Sequence, residues 1–251
     1  MNINVKKAQH KINDINALLA QKCDGKLYLD LDLYDNIIKR YSQLALYPNT
    51  NTEIILCLNF KSSSTRSSTY CVSSLACKIN KHSGEMEISS QTNEAYEGKK
   101  YNLLLRSACF SVASDILYKK TGSLSRKRSS LKSRSTRSVS HWYPVKSIVS
   151  RAINPISTYS LVKYFNAHNP DLDAYLDDNG FQDRSTITLD AIKEYEVPIP
   201  LDLNEEEATE YMKNNEDFGQ PLHLVIRLRN KTTIKKIDET LMSTIERIGC
   251  P

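Results

Sequence analysis

The sequence contains no apolar run that approaches the roughly 20 residues a helix needs to cross a bilayer. Its first residues, MNINVKKAQHKIND, are polar and lack the apolar core of a secretory signal. We therefore expect an intracellular protein, cytoplasmic or nuclear, that has no membrane partner. The chain has a high content of Asn, Lys, Ile and Ser. Such a composition is typical of proteins from AT-rich genomes, including viral ones.

The six cysteines form no CxxC pair, and none stands at a metal-ligand spacing from the five histidines. No metal site is predicted. Several of the cysteines lie in apolar runs, where a free thiol packs as a small hydrophobic group. We expect reduced structural cysteines rather than a disulfide framework, as is usual inside cells.

The charge of the chain is unevenly distributed. The net charge of +5 is the difference between two opposite segments. Residues 119–140 contain eight Lys/Arg and no acid, whereas residues 169–217 contain fifteen Asp/Glu against three Lys/Arg. Residues 122–140 are a Ser/Arg-rich, low-complexity stretch, and we predict a disordered basic insertion there. Residues 169–217 are predicted to be an acidic, loosely structured segment of the same domain.

Hydrophobic periodicity predicts a mixed α/β fold. Apolar residues recur at a helical period in residues 4–21, and leucine alternates with polar residues over 27–33, as in a strand with one exposed face. The element order predicts one domain, residues 1–251, with a mixed, mostly antiparallel central sheet and helices on both faces. Further strands are predicted at 53–60, 70–79, 85–90, 145–154 and 222–228, and further helices from Asp35 (as N-cap) to Leu44, Tyr101 to near Tyr118, Asn154 to Asn166, and after 228 with Gly249 as C-cap.

Residues 85–117 predict a strand, a polar turn that contains Gly98, and a long amphipathic helix. Unpaired N–H groups in such a turn and the positive end of the helix together favour phosphate binding. Lys99 and Lys100 would add positive charge. A plain connecting turn with Gly98 in the left-handed conformation is equally compatible with the sequence.

This unit resembles the GNAT superfamily of N-acetyltransferases. In that family the strand–loop–helix unit carries Arg/Gln-x-x-Gly-x-Gly/Ala, and here the pattern falls on Ala95-x-x-Gly98-x-Lys100, of which only Gly98 matches. The resemblance implies that backbone N–H groups of the turn hold the pyrophosphate of acetyl-CoA or another acyl-CoA, with Lys100 as a direct phosphate cation. The cofactor-binding residues implied are Tyr96, Glu97, Gly98, Lys99, Lys100, Tyr101 and Asn154.

A second similarity to the family follows the predicted strand at 145–154. Asn154-x-x-Ser157 opens a helix that leads to Tyr164-Phe165, similar to the Asn-x-x-Ala helix and terminal aromatic pair of the family. The family's Asn bonds the pantetheine region of CoA, and an aromatic hydroxyl protonates the departing thiolate. The two similarities together cover about residues 53–165.

The resemblance implies transfer of an acetyl or acyl group from CoA to an amine. A carboxylate would remove the amine proton and a strand N–H would polarise the thioester carbonyl. Glu87 is the base candidate, with Glu85 as its alternative, and Tyr159 and Tyr164 are the acid candidates. Each of these residues is also compatible with an ordinary exposed carboxylate or a packed tyrosine.

Two other functions stay open from the sequence. One is a GNAT-like protein that has lost catalysis and serves as a binding or structural module. The other is nonspecific nucleic-acid binding through residues 122–140, whose serines would reverse the charge of the loop if phosphorylated. Aromatic residues are not interleaved in this loop, so the sequence does not support base stacking there.

Overall fold

The computed structural model describes residues 2–41, 52–61, 69–92, 94–96, 98–120, 141–151, 174–177, 223–228 and 231–251. These ranges contain ten strands and four α-helices. The strands are β1 (Ile3–Asn4), β2 (Leu27–Leu33), β3 (Ile54–Lys61), β4 (Thr69–Asn80), β5 (Glu85–Thr92), β6 (Leu117–Lys119), β7 (Trp142–Pro144), β8 (Ser147–Arg151), β9 (Ala174–Asp177) and β10 (His223–Arg227). The helices are α1 (Lys6–Lys22), α2 (Tyr34–Arg40), α3 (Tyr101–Ala113) and α4 (Lys231–Arg247), with one 3-10 turn at Glu94–Tyr96.

Seven strands form one sheet in the order β2-β3-β4-β5-β8-β10-β9. Every neighbouring pair is antiparallel except β5 and β8, which run parallel. The expected antiparallel succession of β3, β4 and β5 is confirmed. The mixed, mostly antiparallel sheet is also confirmed, and it is compatible with the acyltransferase-like fold that the resemblance implies.

Three helices cover one face of this sheet and form the main core with it. On α1, Ala8, Ile12, Ile15 and Leu19 recur every three or four residues, and all are at most 3% exposed. Helix α3 packs on β3, β4 and β5 and also contacts α1 and α4, so every side chain from Leu104 to Ala113 is buried. Each fully buried aliphatic side chain contributes about 1.5 to 3 kcal/mol, and the stripe on α1 therefore holds it firmly.

The opposite face of the sheet carries α2. Ile37 of α2 packs against Ile55 and two cysteines of β3 and β4, and Arg40 forms ion pairs with Asp30 and Asp32 of β2. Helices therefore lie on both faces, as expected. The predicted N-cap was wrong, because α2 begins at Tyr34 and places Asp35 in its first turn, where a carboxylate suits the helix dipole. The helix ends at Arg40 and does not extend to Leu44.

A second, small sheet in the order β1-β6-β7 lies beside α3. The prediction that α3 runs to near Tyr118 was wrong, because the helix ends at Ala113. Its last turn tightens through bonds from the Asp115 and Ile116 N–H groups to carbonyls three residues earlier. The chain then turns into β6, which pairs with the two other strands. Ile116 stays in the core without belonging to the helix.

One pair of cysteines forms a disulfide, contrary to the expectation that all six are reduced. Cys23, which follows α1, forms a disulfide with Cys250, with their Cα atoms 5.4 Å apart. The other four described cysteines form no disulfide and are buried. Two of these, Cys77 and Cys109, lie with their Sγ atoms 3.9 Å apart between β4 and α3. The sequence separation of 227 residues gave no local signal for the disulfide.

Several predicted features lie outside the described residues. These are the basic insertion at 122–140 and, apart from β9, the acidic segment at 169–217. Their predicted character stays a prediction. Among the described helices, none combines the length and the apolar content required to traverse a membrane.

Candidate functional site

The turn between β5 and α3 has the conformation of a tight backbone cradle. Gly98 has a φ of +77°, and Lys100, the N-cap of α3, has a φ of +63°. Nothing lies within 4 Å of the position that a Cβ on Gly98 would take, so the turn is open to solvent there. No side chain caps the helix, and its first helical bond inside the turn runs from the Leu104 N–H to the Lys100 carbonyl. The N–H groups before Leu104 are therefore the ones that can face a ligand.

The side chains of this turn divide between solvent and core. The Lys99 ammonium lies 5.7 Å from the centroid of the Tyr96 ring, a cation–π distance. The Tyr101 ring is 1% exposed, and its hydroxyl donates to the Gly249 carbonyl oxygen at 3.0 Å. Burial raises the pKa of Tyr101 to about 12. Tyr101 can thus offer a ligand its backbone N–H but not its hydroxyl.

The end of α4 closes one side of the turn. Gly249 packs against the aliphatic part of Lys99, and an added Cβ there would lie 3.6 Å from the Lys99 Cγ. Helix α4 ends at Arg247 and the φ of Gly249 is not positive, so the predicted C-cap at Gly249 was wrong. Gly249 is instead the small residue that lets the chain end approach Lys99 and Tyr101.

A buried polar cluster that the sequence reasoning missed joins β5 to the first turns of α3. The Arg106 Nε donates to the Ser90 Oγ at 3.0 Å and to the Asn102 Oδ1 at 2.9 Å, and the Ser90 hydroxyl donates to the same Oδ1 at 2.6 Å. Arg106 is 3% exposed, and this burial lowers its pKa to about 10. A polar pair four residues apart inside the otherwise apolar α3 was the available signal.

The base candidate Glu87 lies further back on β5. It is half-buried and stands directly opposite Lys78 of β4 in the antiparallel register. Both side chains line a small pocket of about 80 Å³ on the α2 face of the sheet. Thr92 stands five positions after Glu87 on the extended strand, at a distance of about 16 Å. Between Thr92 and Gly98 the chain passes through the 3-10 turn at Glu94–Tyr96.

The described pairing of β5 with its parallel neighbour β8 covers only the first half of β5. The register between β5 and β8 runs from Glu85↔Ser147 to Ile88↔Ser150, whereas β5 continues to Thr92. Among the described residues, the β8-facing edge of 89–92 has no strand partner. This edge leads from the region of Glu87 toward the turn.

The remaining predicted site residues lie outside the described residues. These are Glu97 in the turn, Asn154 of the predicted pantetheine contact, and the acid candidates Tyr159 and Tyr164. The structure therefore brings together Tyr96, Gly98, Lys99, Lys100 and Tyr101 at one turn and places Glu87 on the strand that leads into it. The roles of all these residues stay predictions.

Comparison with known proteins adds little to this geometry. No family model matches the chain, and no characterised protein sequence matches it. Among solved structures, the chain is similar to a point mutant of a cAMP-binding acyltransferase from Mycobacterium smegmatis, with a TM-score of 0.33 and 7% identity. The match covers 95% of this chain and 61% of that protein.

Proposed function

We propose that this protein is an acyl-CoA-dependent N-acyltransferase that transfers an acetyl or acyl group to an amine. One observation carries the proposal: among the described residues, β5 extends past its parallel pairing with β8 and leads toward the glycine turn that opens α3. A CoA thioester needs a phosphate cradle, an extended groove for its arm, and a base near the end of that groove. The turn would supply the cradle, the edge of β5 at residues 89–92 would supply the groove, and Glu87 would supply the base. They follow one another in the required order.

The cradle would bind the pyrophosphate through backbone N–H groups of residues 98–103 and the positive end of α3. Lys100 stands at the N-cap with its side chain exposed, where it can reach a phosphate oxygen. The buried Arg106 fixes the first turn of α3 against Ser90 of β5, so the cradle and the groove keep one relative position. It also adds positive charge close to the bound diphosphate.

The chemistry would take place near Glu87. Its carboxylate removes a proton from the attacking amine, directly or through water, while a backbone N–H of β5 polarises the thioester carbonyl. The departing thiolate takes a proton from a hydroxyl, for which Tyr159 and Tyr164 are the candidates.

Thermal-shift titration with acetyl-CoA and with free CoA tests the binding step. A ligand at 100 times its dissociation constant stabilises the native state by about 2.7 kcal/mol, which gives a clear rise in Tm. Gly98→Val should abolish the rise, because a β-branched side chain does not tolerate a φ of +77° and would remodel the cradle. Gly25→Val is the matched control, since Gly25 has a φ of +69° and equally open surroundings.

Charge at the cradle is tested separately. Lys100→Glu should abolish the rise in Tm on addition of CoA. Lys39 is exposed on α2, on the opposite face of the sheet, and Lys39→Glu should preserve the rise. No rise in Tm with millimolar acetyl-CoA or CoA would refute the cofactor site.

Catalysis needs its own measurement, since a GNAT-like module could bind CoA without turnover. Release of free CoA thiol from acetyl-CoA is followed with polyamines and lysine peptides as acceptors. Glu87→Gln should lower the rate by about 10² to 10⁴ with CoA binding unchanged. Glu85→Gln, on the same face of β5, should have little effect. Binding of acetyl-CoA without thiol release from any amine would favour the inactive module.

A further inference from the structure

The chain contains a single tryptophan, Trp142, and the structure places it on the surface of the small sheet. Trp142 is 38% exposed on β7, where it stands directly opposite Lys119 of β6. The next pair along, Tyr118 and Tyr143, points to the other face, where Tyr118 is fully buried. The sheet therefore buries Tyr118, leaves Tyr143 half-buried and presents its tryptophan to solvent.

Two lysines accompany the aromatic rings of this sheet. The Lys119 ammonium lies 4.9 Å from the Trp142 ring centroid, and the Lys120 ammonium lies 5.0 Å from that of Tyr143. Among the described residues, neither ammonium is paired with a carboxylate. An exposed indole flanked by unneutralised cations can stack on a planar π-system and attract a nearby anion at the same time.

The sequence that joins the two strands has the same charge. Residues 121–140 contain six Lys/Arg and no Asp/Glu, and they leave β6 at Lys120 and return to β7 at His141. A polyanion attracted by this segment would be concentrated at its base, where Trp142 stands. The aromatic residue that the basic segment itself lacks is therefore supplied by the strands that carry it.

We propose that Lys119, Lys120 and Trp142, here called the β6–β7 platform, bind single-stranded nucleic acid. The Trp142 ring stacks on an exposed base, and the two ammonium groups contact adjacent phosphates. A duplex hides the faces of its bases, so the platform discriminates in favour of single strands. This binding does not depend on the proposed acyl transfer, since none of its residues belongs to the Gly98 turn or to β5.

Trp142 reports on its own site, because its emission is the only tryptophan signal of the protein. Titration of the full chain with an oligo(dT) 20-mer at 50 mM salt should quench this emission, since a stacked base removes the indole from water. A duplex of the same length should quench it much less. Higher salt should raise the dissociation constant steeply, because binding releases counterions from the phosphates.

Variants separate stacking from charge when affinity is measured by anisotropy of a labelled oligo(dT). Trp142→Ala should weaken binding about 5- to 100-fold with the salt dependence unchanged, because stacking on one base contributes roughly 1 to 3 kcal/mol. Lys119→Ala should instead lower the slope of log K against log salt by about 0.7. Tyr70→Ala is the control, since Tyr70 is another exposed aromatic residue, 51% exposed on β4, and its affinity should match the wild type.

Three results would overturn the proposal. The first is the absence of quenching by oligo(dT) at low salt. The second is an unchanged affinity of Trp142→Ala, which would leave a purely electrostatic contact. The third is a change of Trp142 emission with salt alone that oligo(dT) does not alter, which would indicate that the acidic segment 169–217 of the same chain occupies the platform.

Discussion

The Tyr101 hydroxyl donates a hydrogen bond to the Gly249 carbonyl oxygen at 3.0 Å, which joins the first residue of α3 to the end of the chain. The same end is held to α1 by the Cys23–Cys250 disulfide. The turn that we assign to phosphate binding therefore rests on three elements distant in sequence. Its rigidity depends on how firmly the end of the chain is tied down.

Removal of the disulfide should destabilise the fold. Closing a loop of more than 200 residues lowers the entropy of the unfolded chain, which corresponds to about 5 kcal/mol as an upper value and less where the native state relaxes. Cys250→Ser should lower the free energy of unfolding by roughly 3 to 5 kcal/mol in guanidinium titrations. Reductant should have the same effect on the wild type and none on the variant.

Counting thiols provides the check on this bond. The unfolded, non-reduced protein should have four reactive thiols, because Cys57, Cys71, Cys77 and Cys109 form no disulfide. Six reactive thiols under those conditions would contradict the disulfide. Full stability in its absence would show that packing alone holds the end of α4.

Tyr101→Phe should remove the hydrogen bond to Gly249 at a cost of about 1 kcal/mol at neutral pH. It should also change the alkaline limb of stability. The folded-state pKa of Tyr101 is raised to about 12 from a usual 10, so its contribution is complete below pH 10 and is lost as pH rises toward 12. Unfolding free energies between pH 9 and 12 should fall less steeply in the variant. Parallel curves for the two proteins would count against the raised pKa.

Lys100→Gly should stabilise the protein. Lys100 holds a left-handed φ of +63°, which costs a non-glycine residue roughly 1 kcal/mol that glycine does not incur. Lys99→Gly is the matched control, because Lys99 has no positive φ, so its replacement relieves no strain, removes the contact with Tyr96 and increases the freedom of the unfolded chain. We expect opposite signs for the two changes in thermal unfolding. A loss of stability in both would mean that the Lys100 side chain stabilises the turn.

The left-handed Lys100 also shows what the sequence could and could not predict at the site. The GNAT pattern that the sequence resembles has Gly or Ala at this position. Lys100 stands there instead and adopts a backbone conformation that suits glycine. Gly98 and its turn were predictable from the strand-to-helix change of period. The Ser90–Asn102–Arg106 cluster was not, because it depends on how α3 sits over β5.

The fold likewise has elements that could be predicted from the sequence and elements that could not. Strand β2 was predicted at the bounds observed because its leucines alternate strictly and one of its faces is buried. The C-terminal part of α3 was overextended, since Ile116 fits a helical period but belongs to the turn before β6. That strand exists because β1 and β7 pair with it. Partners this distant in sequence leave no trace in local periodicity, and the same holds for Cys23 and Cys250.

The hairpin turn at Gly84 offers a prediction that tests packing between the two sheets. Gly84 has a φ of +83°, and a Cβ there would lie 2.5 Å from the Tyr118 Oη. That hydroxyl is buried and has no hydrogen-bond partner within the described part of the chain, and burial raises the pKa of Tyr118. The absence of a side chain on Gly84 is thus what accommodates the Tyr118 ring under the turn.

A double-mutant cycle separates the two contributions. Gly84→Ala alone should cost about 3 kcal/mol or more, because strain at the left-handed φ of about 1 to 2 kcal/mol adds to the clash with Tyr118. Tyr118→Phe alone should be neutral or slightly stabilising, because it removes an unsatisfied buried hydroxyl. In the double variant the clashing atom is gone, so the cost of Gly84→Ala should fall to the backbone strain. Denaturant unfolding should therefore give a favourable interaction energy of about 1 to 2 kcal/mol. Strict additivity would mean that the turn moves away from Tyr118 and that the backbone conformation of Gly84 alone decides its cost.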